Sequence, residues 1–313
     1  NSKSYRITSL TFVNIFNASA RGDYYSISDR DENSLVGGSG DANASRLYPL
    51  IQNIVSYPLQ KDFAHSQMVI EPTVAITLST NAENDSDIPN EASQDVQIDA
   101  LNIFEANRFP GLDRVEDRSH VTYGARTGLY ENDGDSVEVF LGQSFRFENK
   151  DNPFPEGSGL SDQKSDVVGQ IVANYQDRFT LNYGLQLGAD SLRSERHELD
   201  MTTRMGPLGL SGTYIYARSL EGTDLNRSRE QIYGAATYDL NPEWRFRSAA
   251  RYDFSAVDEG LRYADFGVAY TGQCVSVITR ARRKFTFEDT GDNATEVTVS
   301  LGLKNLGTLG NNQ

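Results

Sequence analysis

A strict alternation of apolar and polar side chains is the feature of this sequence that most constrains its fold. Between Phe179 and Asp190 every second residue is apolar and the others are small or polar, which predicts a β-strand. The segment from Trp244 to Phe254 repeats the pattern, but its second face carries Arg245, Arg247 and Arg251. Three unpaired arginines are too costly to bury in an apolar core, so this face must contact water.

The same alternation extends over most of the chain, and helical periodicity is absent. It predicts about 14 strands, each near or above the ~9–11 residues that a tilted strand needs to span a membrane. The predicted strands cover residues 4–27, 45–58, 66–81, 119–131, 136–148, 165–175, 179–190, 195–205, 208–219, 229–240, 244–254, 260–272, 275–288 and 294–306.

Composition excludes several classes of protein. The 313 residues carry a net charge of −15, and the 23 arginines and 6 lysines form no dense basic stretch, which excludes a nucleic-acid binder. No run approaches the ~18–20 apolar residues of a membrane-spanning helix. A barrel strand needs apolar residues on one face only, which agrees with a hydrophobic content of 38%. The predicted fold class is therefore all-β, a transmembrane antiparallel β-barrel of the outer membrane.

The predicted connections alternate between short and long. Short connections lie at 132–135, 176–178, 206–207, 241–242 and 272–273, and generally longer ones at 28–44, 82–118, 149–164 and 220–228. Bacterial outer-membrane barrels have short periplasmic turns and long external loops, so we expect both ends of this chain on the periplasmic side. Residues 1–313 are interpreted as part of one barrel domain. A soluble β-sandwich or propeller is the alternative, and the arginine-bearing faces disfavour it.

No catalytic or metal-binding constellation stands out in the sequence. His65, His120 and His197 are scattered, and each is interpreted as a solvated polar residue. Ser158 lies between two glycines but lacks the Gly-x-Ser-x-Gly pattern of a nucleophile elbow. The acidic loop from Asn81 to Arg118 is interpreted as a solvated cap. We therefore predict no enzymatic activity, no cofactor and no metal site.

Cys274 is the one cysteine of the chain. Its phase matches Ser276, Arg280 and Arg282, which places it on the polar side at the periplasmic end of the predicted strand 275–288. A buried spare thiol is one interpretation. An unpaired cysteine is unusual in the oxidising periplasm, however, and an odd count suggests a disulfide partner outside this chain.

A loop motif is the most specific local signal in the chain. Its residues are Ile88, Pro89, Asn90, Glu91, Asn107, Arg108, Phe109, Gly111, Asp113 and Arg114. Further blocks lie at 21–23, 48–50, 123–127, 141–147 and 157–162. Together these blocks, which cover most of the chain, resemble the lipopolysaccharide assembly protein LptD family, also called OstA or Imp.

The resemblance implies the C-terminal part of a larger barrel, of ~26 strands within the known range, with the family's N-terminal periplasmic domain absent from this chain. It implies transport of lipopolysaccharide into the outer leaflet of the outer membrane of a Gram-negative bacterium. The implied partners are lipopolysaccharide, outer-membrane lipids, an LptE-like lipoprotein plug in the lumen, and a periplasmic lipopolysaccharide-bridge protein reached through the missing domain.

By the same resemblance, the last predicted strand is one side of a lateral gate through which lipopolysaccharide leaves the barrel. The gate residues are Thr295, Val297, Val299, Leu301, Gly302 and Leu303. Gly302 is expected to weaken this strand, because it offers no side chain for packing. The family commonly carries two adjacent cysteines near its last two strands, which bond to the periplasmic domain. This chain has Gln273 before Cys274, so one interdomain disulfide is expected, at Cys274.

Two other functions remain open. A self-contained outer-membrane channel of about 14 strands would have the same even strand number and the same periplasmic ends. The loop motif, the odd cysteine and a C-terminal segment without a final aromatic residue disfavour it. An outer-membrane hydrolase is the third possibility, and the scattered histidines disfavour it.

Overall fold

The computed structural model describes residues 8–9, 12–30, 40–80, 84, 88, 96–148, 152–219, 228–255, 259–285, 294–304 and 307–309. Within these residues every regular element is a β-strand, which confirms the predicted all-β class. No helix among them is long and apolar enough to cross a membrane. The strands are β1 (Thr8–Ser9), β2 (Val13–Arg30), β3 (Gly40–Ser56), β4 (Leu59–Asp62), β5 (Ser66–Ser79), β6 (His120–Glu131), β7 (Ser136–Arg146), β8 (Val167–Tyr175), β9 (Phe179–Leu187), β10 (Ser194–Met205), β11 (Leu208–Ala217), β12 (Arg229–Asp239), β13 (Trp244–Asp253), β14 (Gly260–Thr271), β15 (Val275–Lys284), β16 (Ala294–Leu303) and β17 (Gly307–Leu309).

The chain divides into two compact units. The first consists of Asn1–Asn132, Val137–Ile171 and Gly184–Glu195, and the second of Asp133–Ser136, Val172–Tyr183 and Arg196–Gln313. In the first unit β2 pairs antiparallel with β3, β3 with β5, and β5 with β6. In the second unit the strands from β10 to β17 pair antiparallel in chain order.

A proline interrupts one of the long strands. Both β3 and β4 pair with β5, and Tyr57 and Pro58 separate them. Pro58 has no N–H and cannot continue the ladder. The Tyr57 amide instead donates to the carbonyl of Pro72 at 3.1 Å. Since β1 pairs with β4 and thereby extends β2, the seventeen elements of the described residues correspond to fifteen strands, against the prediction of about 14.

Strands of the first unit bury polar side chains and expose apolar ones. In β3, Arg46 is 5% exposed, while the adjacent Leu47 is 69% exposed. In β5, Thr77 is buried between the exposed Ile76 and Leu78. This arrangement is the reverse of a water-soluble sheet. It is stable where lipid covers the apolar face and polar groups cover the other face.

In the second unit, aromatic side chains gather beside the short turns. Trp244 at the start of β13 contacts Tyr270 near the end of β14, with ring centroids 4.9 Å apart. Tyr238 pairs in register with Phe246 on the same face. Aromatic rings at strand ends are typical of the two levels where a barrel crosses the membrane interface, because each ring combines an apolar body with a polar edge.

The connection between β10 and β11 shows how sequence sets the short turns. Met205 and Leu208 are paired, so only Gly206 and Pro207 form the turn. Gly206 has φ of 59°, a left-handed conformation that glycine adopts without strain. Pro207 fixes its own φ near −65°. A left-handed glycine followed by a proline suits a two-residue hairpin turn of type II′.

Candidate functional site

The segment from residue 96 to residue 118 packs against strands of the first unit. Its Ile98 and Ile103 are buried with Phe140 of β7 and Val168 of β8. The full apolar cluster consists of Val96, Ile98, Ile103, Phe140, Phe154, Leu160 and Val168. The interpretation of this part of the loop as a solvated cap was therefore wrong. The acidic residues of the loop dominate its composition, whereas its burial depends on a few apolar residues at irregular spacing.

Buried charged groups lie beside this apolar cluster. The Arg108 Nε donates to Glu116 Oε2 at 2.7 Å, and its Nη2 donates to Glu116 Oε1. Neither side chain is exposed to solvent. The Nδ1 of His120, the first residue of β6, lies 3.3 Å from Glu116 Oε1. The Glu116 amide donates to Asn107 Oδ1 at 2.8 Å. The Glu116 carboxylate thus joins Arg108 of the motif to His120 at the start of β6.

Local electrostatics keep Glu116 ionised. Burial alone would raise the pKa of its carboxyl, but the positive charge of Arg108 and the contact with His120 more than offset burial, and the pKa lies below its usual range. For the adjacent Asp117, burial raises the pKa, and Arg118 offsets this effect only in part. The two neighbouring carboxyls therefore have opposite shifts because only Glu116 is matched by a bidentate guanidinium.

Arg46 of β3 binds the motif from a second strand. Its Nη1 donates to the carbonyl of Asp113 at 2.9 Å, and its Nη2 donates to the carbonyl of Leu112 at 3.1 Å. Asp23 of β2 pairs with Arg46 Nη2 at 2.6 Å and orients the guanidinium. The sequence prediction did not include Arg46. The sequence feature that could have identified it is an arginine at a position of β3 that shares a face with buried side chains.

The segment from residue 152 to residue 166 packs against the motif. The rings of Phe109 and Phe154 stack with centroids 4.4 Å apart. Ser158 closes a turn, because its Oγ donates to the Pro155 carbonyl at 2.7 Å. Gly159 has φ of 76°, and a Cβ there would lie 2.5 Å from Ile98 Cγ2. A larger residue at this position would separate the two segments.

The described residues of the predicted loop motif gather in this one region. Ile88 is buried. Gly111 has φ of 84° and turns the chain between Arg108 and Asp113. The Arg114 Nη1 donates to the carbonyl of Asn84 at 3.2 Å. Three motif residues lie outside the described residues, namely Pro89, Asn90 and Glu91.

Of the three histidines interpreted as solvated, only His65 is exposed. His120 is 1% exposed, so its interpretation was wrong. The reason is that the first residue of β6 is covered by the motif, which lies before it in the chain. His197 is half-buried, and its Nδ1 lies 2.6 Å from the Tyr183 hydroxyl.

The predicted gate strand corresponds to β16. Thr295, Val297, Val299 and Leu301 are exposed on one face of β16, and Leu303 on the same face is half-buried. Gly302 lies on the opposite face, where a Cβ would collide with Ser276 Oγ of β15. Besides β15, β16 pairs with the short β17 over Leu301–Leu303. Cys274 is exposed in the turn before β15, and its carbonyl accepts the Lys304 amide at 2.9 Å.

Comparison with known families identifies the family of this chain. The sequence profile of LptD, the LPS transport system D, matches residues 6–244. The chain belongs to the LptD family. It is 26% identical over 301 residues to the LPS-assembly protein LptD of Azoarcus sp. strain BH72, covering 92% of this chain and 36% of the relative. It is 23% identical over 272 residues to the LptD of Vibrio cholerae serotype O1, covering 81% and 34%.

The chain thus spans about a third of the length of the curated LptD relatives that it matches. Among solved structures, the siderophore receptor PirA from Acinetobacter baumannii is 9% identical, with 93% of this chain and 54% of the receptor covered and a TM-score of 0.41. A porin variant of Rh. blastica is 11% identical, with 94% and 99% covered and a TM-score of 0.33.

Membership in the LptD family confirms the resemblance that the loop motif indicated. It also assigns the chain to the outer membrane of Gram-negative bacteria and its alternating strands to the outer-membrane barrel class. The self-contained channel is not better supported, because the curated relatives are LPS-assembly proteins.

Proposed function

We propose that this chain forms part of an LptD conduit that delivers lipopolysaccharide to the outer leaflet of the outer membrane. One observation carries the proposal: the family motif lies on the polar side of the strands and is held there by the buried pair of Arg108 and Glu116. Because the motif segment covers part of the polar side, a large glycolipid needs an opening between strands in order to leave the barrel. The conduit makes and breaks no bond, so the chain is not an enzyme.

A self-contained channel is the second candidate; the sequence predicts an even number of strands for it, whereas the described residues form fifteen. In porins the polar face of the strands lines a water-filled channel. In the first unit of this chain, Ile98 and Ile103 fill the space beside β7 and β8 with a dry apolar cluster. This packing favours a gated conduit over a permanently open pore.

The proposal includes the rest of a larger barrel and three kinds of partner. The chain covers only 34% and 36% of two curated relatives, which leaves sequence for further strands and for an N-terminal periplasmic domain. The partners are lipopolysaccharide, an LptE-like lipoprotein plug and a periplasmic lipopolysaccharide-bridge protein. The alternation of short and long connections supports periplasmic positions for both ends of this chain.

The lateral gate is assigned to β16, with Thr295, Val297, Val299, Leu301, Gly302 and Leu303. The exposed apolar face of β16 supports this assignment, since it suits contact with lipid beside an opening. Cys274 is assigned to a disulfide with the periplasmic domain, and the exposure of its side chain supports this role. Cys274→Ser should slow maturation and remove the mobility shift on a non-reducing gel. Unchanged maturation and mobility would refute the disulfide.

A cross-linking experiment tests the gate. In the full-length protein, a cysteine at Val299 is joined by a bulky cross-linker to a cysteine in the native first strand of the barrel, and newly delivered surface lipopolysaccharide is labelled. Efficient cross-linking should abolish delivery. The matched control joins Val268→Cys and Thr279→Cys, which are register partners within the sheet of β14 and β15. Delivery that continues after complete cross-linking at Val299 would refute the conduit with a gate at β16.

A further inference from the structure

The polar side of β13, β14 and β15 carries a local excess of positive charge. Strand register places nine side chains in three adjacent rows on this side, and we call them the arginine patch. The rows are Arg247, Gly267 and Arg280; Ala249, Asp265 and Arg282; and Arg251, Tyr263 and Lys284. Five cations therefore surround one carboxylate, a formal charge of +4 in a chain whose net charge is −15.

The flanking strands add little negative charge to the arginine patch. On β12, all three residues that pair with the rows of the patch are uncharged. On β16 they include one carboxylate, that of Glu296, opposite Arg282. These flanking residues are Thr237, Ala235 and Tyr233 on β12, and Thr298, Glu296 and Ala294 on β16. Positive charge therefore dominates over five neighbouring strands.

Asp265 organises the centre of the arginine patch without neutralising it. Arg280 Nη2 lies 2.6 Å and Arg282 Nη2 lies 3.3 Å from the same oxygen, Asp265 Oδ2. The guanidinium carbons of Arg251 and Arg282 lie 5.4 Å and 5.2 Å from the centre of the Tyr263 ring. The carboxylate and the ring thus hold three guanidinium groups in place, and only one negative charge is shared among them.

An open position lies between two of the arginines. Gly267 separates Arg247 from Arg280 in the first row, and a Cβ there would meet only the Thr279 carbonyl, at 3.3 Å. Neighbouring strands are about 4.8 Å apart, so the two arginines start about 10 Å from each other. Arg247 is exposed and makes no ion pair within the part of the chain that the structure describes. Two long side chains can close over this gap around a phosphate-sized anion.

We propose that the arginine patch binds phosphate groups of lipopolysaccharide as it moves along the polar side of the strands. This proposal rests on the proposed function and names the part of the substrate that the second unit contacts. The phosphorylated sugars of lipopolysaccharide are polyanions, and guanidinium groups bind phosphate through paired, charge-assisted hydrogen bonds. Because the cations stand on paired strands, little ordering is needed on binding.

The test measures binding apart from transport. The full-length protein with its native partners is titrated in detergent with the bisphosphorylated glucosamine disaccharide of lipopolysaccharide, from which the acyl chains have been removed. The variant Arg247→Gln/Arg251→Gln should bind it at least about tenfold more weakly, since two charge-assisted contacts are lost. The difference should shrink with added salt. Single variants at these exposed positions preserve the test if the double variant folds poorly.

The matched control is Arg204→Gln/Arg245→Gln. It removes the same charge from the same side of the sheet, but both of these arginines pair with Asp239 outside the arginine patch. Its affinity for the disaccharide should stay within about twofold of the original protein. An equal loss in both variants would overturn the proposal, because it would indicate a general effect of charge.

Other outcomes decide the source of the anion. Undiminished binding of the dephosphorylated disaccharide would show that sugar contacts alone suffice and would overturn the proposal. Equally tight binding of inorganic phosphate would overturn lipopolysaccharide as the ligand. Loss of the bound lipoprotein from the double variant, with unchanged disaccharide affinity, would assign the patch to an acidic protein surface. If instead delivery survives cross-linking at β16 while the variant loses disaccharide binding, the proposed gate fails and the patch stands.

Discussion

The two units of this chain use the same alternating strands but cover the polar side of those strands differently. In the first unit, the motif segment and residues 152–166 cover it with an apolar cluster and a buried ion pair. In the second unit, Arg247 and Arg251 stay exposed on that side. Alternation therefore specifies a strand and its two faces, whereas distant segments decide whether the polar face is dry or wet.

Charge pairs in the two units differ in the same way. The pair of Arg108 and Glu116 has no solvent exposure on either side chain. In the second unit, Arg245 pairs with Asp239 at 2.5 Å, but the Arg245 side chain is 60% exposed. Breaking a buried pair leaves an uncompensated charge in a dry site, while water replaces the partner of an exposed charge. Substitutions in the two units should therefore differ strongly in their effect on stability.

Glu116→Gln should have the largest effect. It leaves the Arg108 guanidinium buried without a counter-charge, so we expect a loss of about 3–5 kcal/mol in the free energy that holds the motif segment in place. Limited proteolysis of the full-length protein should show cleavage within residues 96–118. The control is Glu198→Gln, which removes the partner of Arg196 at a partly exposed pair. Full protease resistance in Glu116→Gln would show that the pair does not hold the segment.

Ile103→Ala should come next. It removes buried methyl groups from the apolar cluster, and such truncations cost about 2–5 kcal/mol. The midpoint of chemical denaturation in detergent should fall. Leu101→Ala, two residues away on a side chain that is 75% exposed, is the control and should leave the midpoint nearly unchanged. Similar midpoints for both variants would mean that the packing of this segment adds little stability.

Acidification should release the motif segment late. The pKa of folded Glu116 lies below that of the unfolded chain, so its contribution is complete above the unfolded value of about 4.3 and is lost as pH falls through the depressed folded value. The protection factors of the amides in residues 96–118 should stay high at about pH 5 and fall only below the unfolded value of about 4.3. In Glu116→Gln this part of the pH dependence should vanish. Release that begins above pH 5 would contradict the assigned direction.

Asp239→Asn should have the smallest effect. Its two partners, Arg204 and Arg245, are each more than half exposed, so water can replace the lost partner and the midpoint of denaturation should change little. The same denaturation measurement checks this expectation. A loss as large as that of Glu116→Gln would remove the distinction between the wet and the dry polar faces.

Several features were predictable because they depend on local chemistry. Every strand predicted from period two is present, including the segment from Trp244 with its exposed arginines. The sequence prediction ended a strand at Pro58, whose missing N–H does interrupt the ladder, but it did not include β4 beyond the proline. The loop motif was identified from residue types, and its described members do gather in one region. The gate residues and the disulfide of Cys274 stay predictions.

Other features were not predictable from local pattern. His120 looked solvated because its neighbours in sequence are polar, yet Glu116 and the motif bury it. Arg46 showed no sign of binding the motif, because the carbonyls that it contacts lie 66 and 67 residues away in the chain. Such contacts depend on how a long loop returns to the sheet, which periodicity does not encode.

By itself, the sequence determined the all-β class, the alternation of faces and the family, because side-chain period and motif residues are properties of the linear chain. Only the tertiary structure decided which polar positions are dry. Glu116 is buried among Arg108, His120 and two distant strands, because Tyr48 of β3 and Ser79 of β5 both donate to its carbonyl. The arginine patch likewise depends on register across β13, β14 and β15. The cations of β13 and β15 are distant in sequence and come together only when both strands pair with β14.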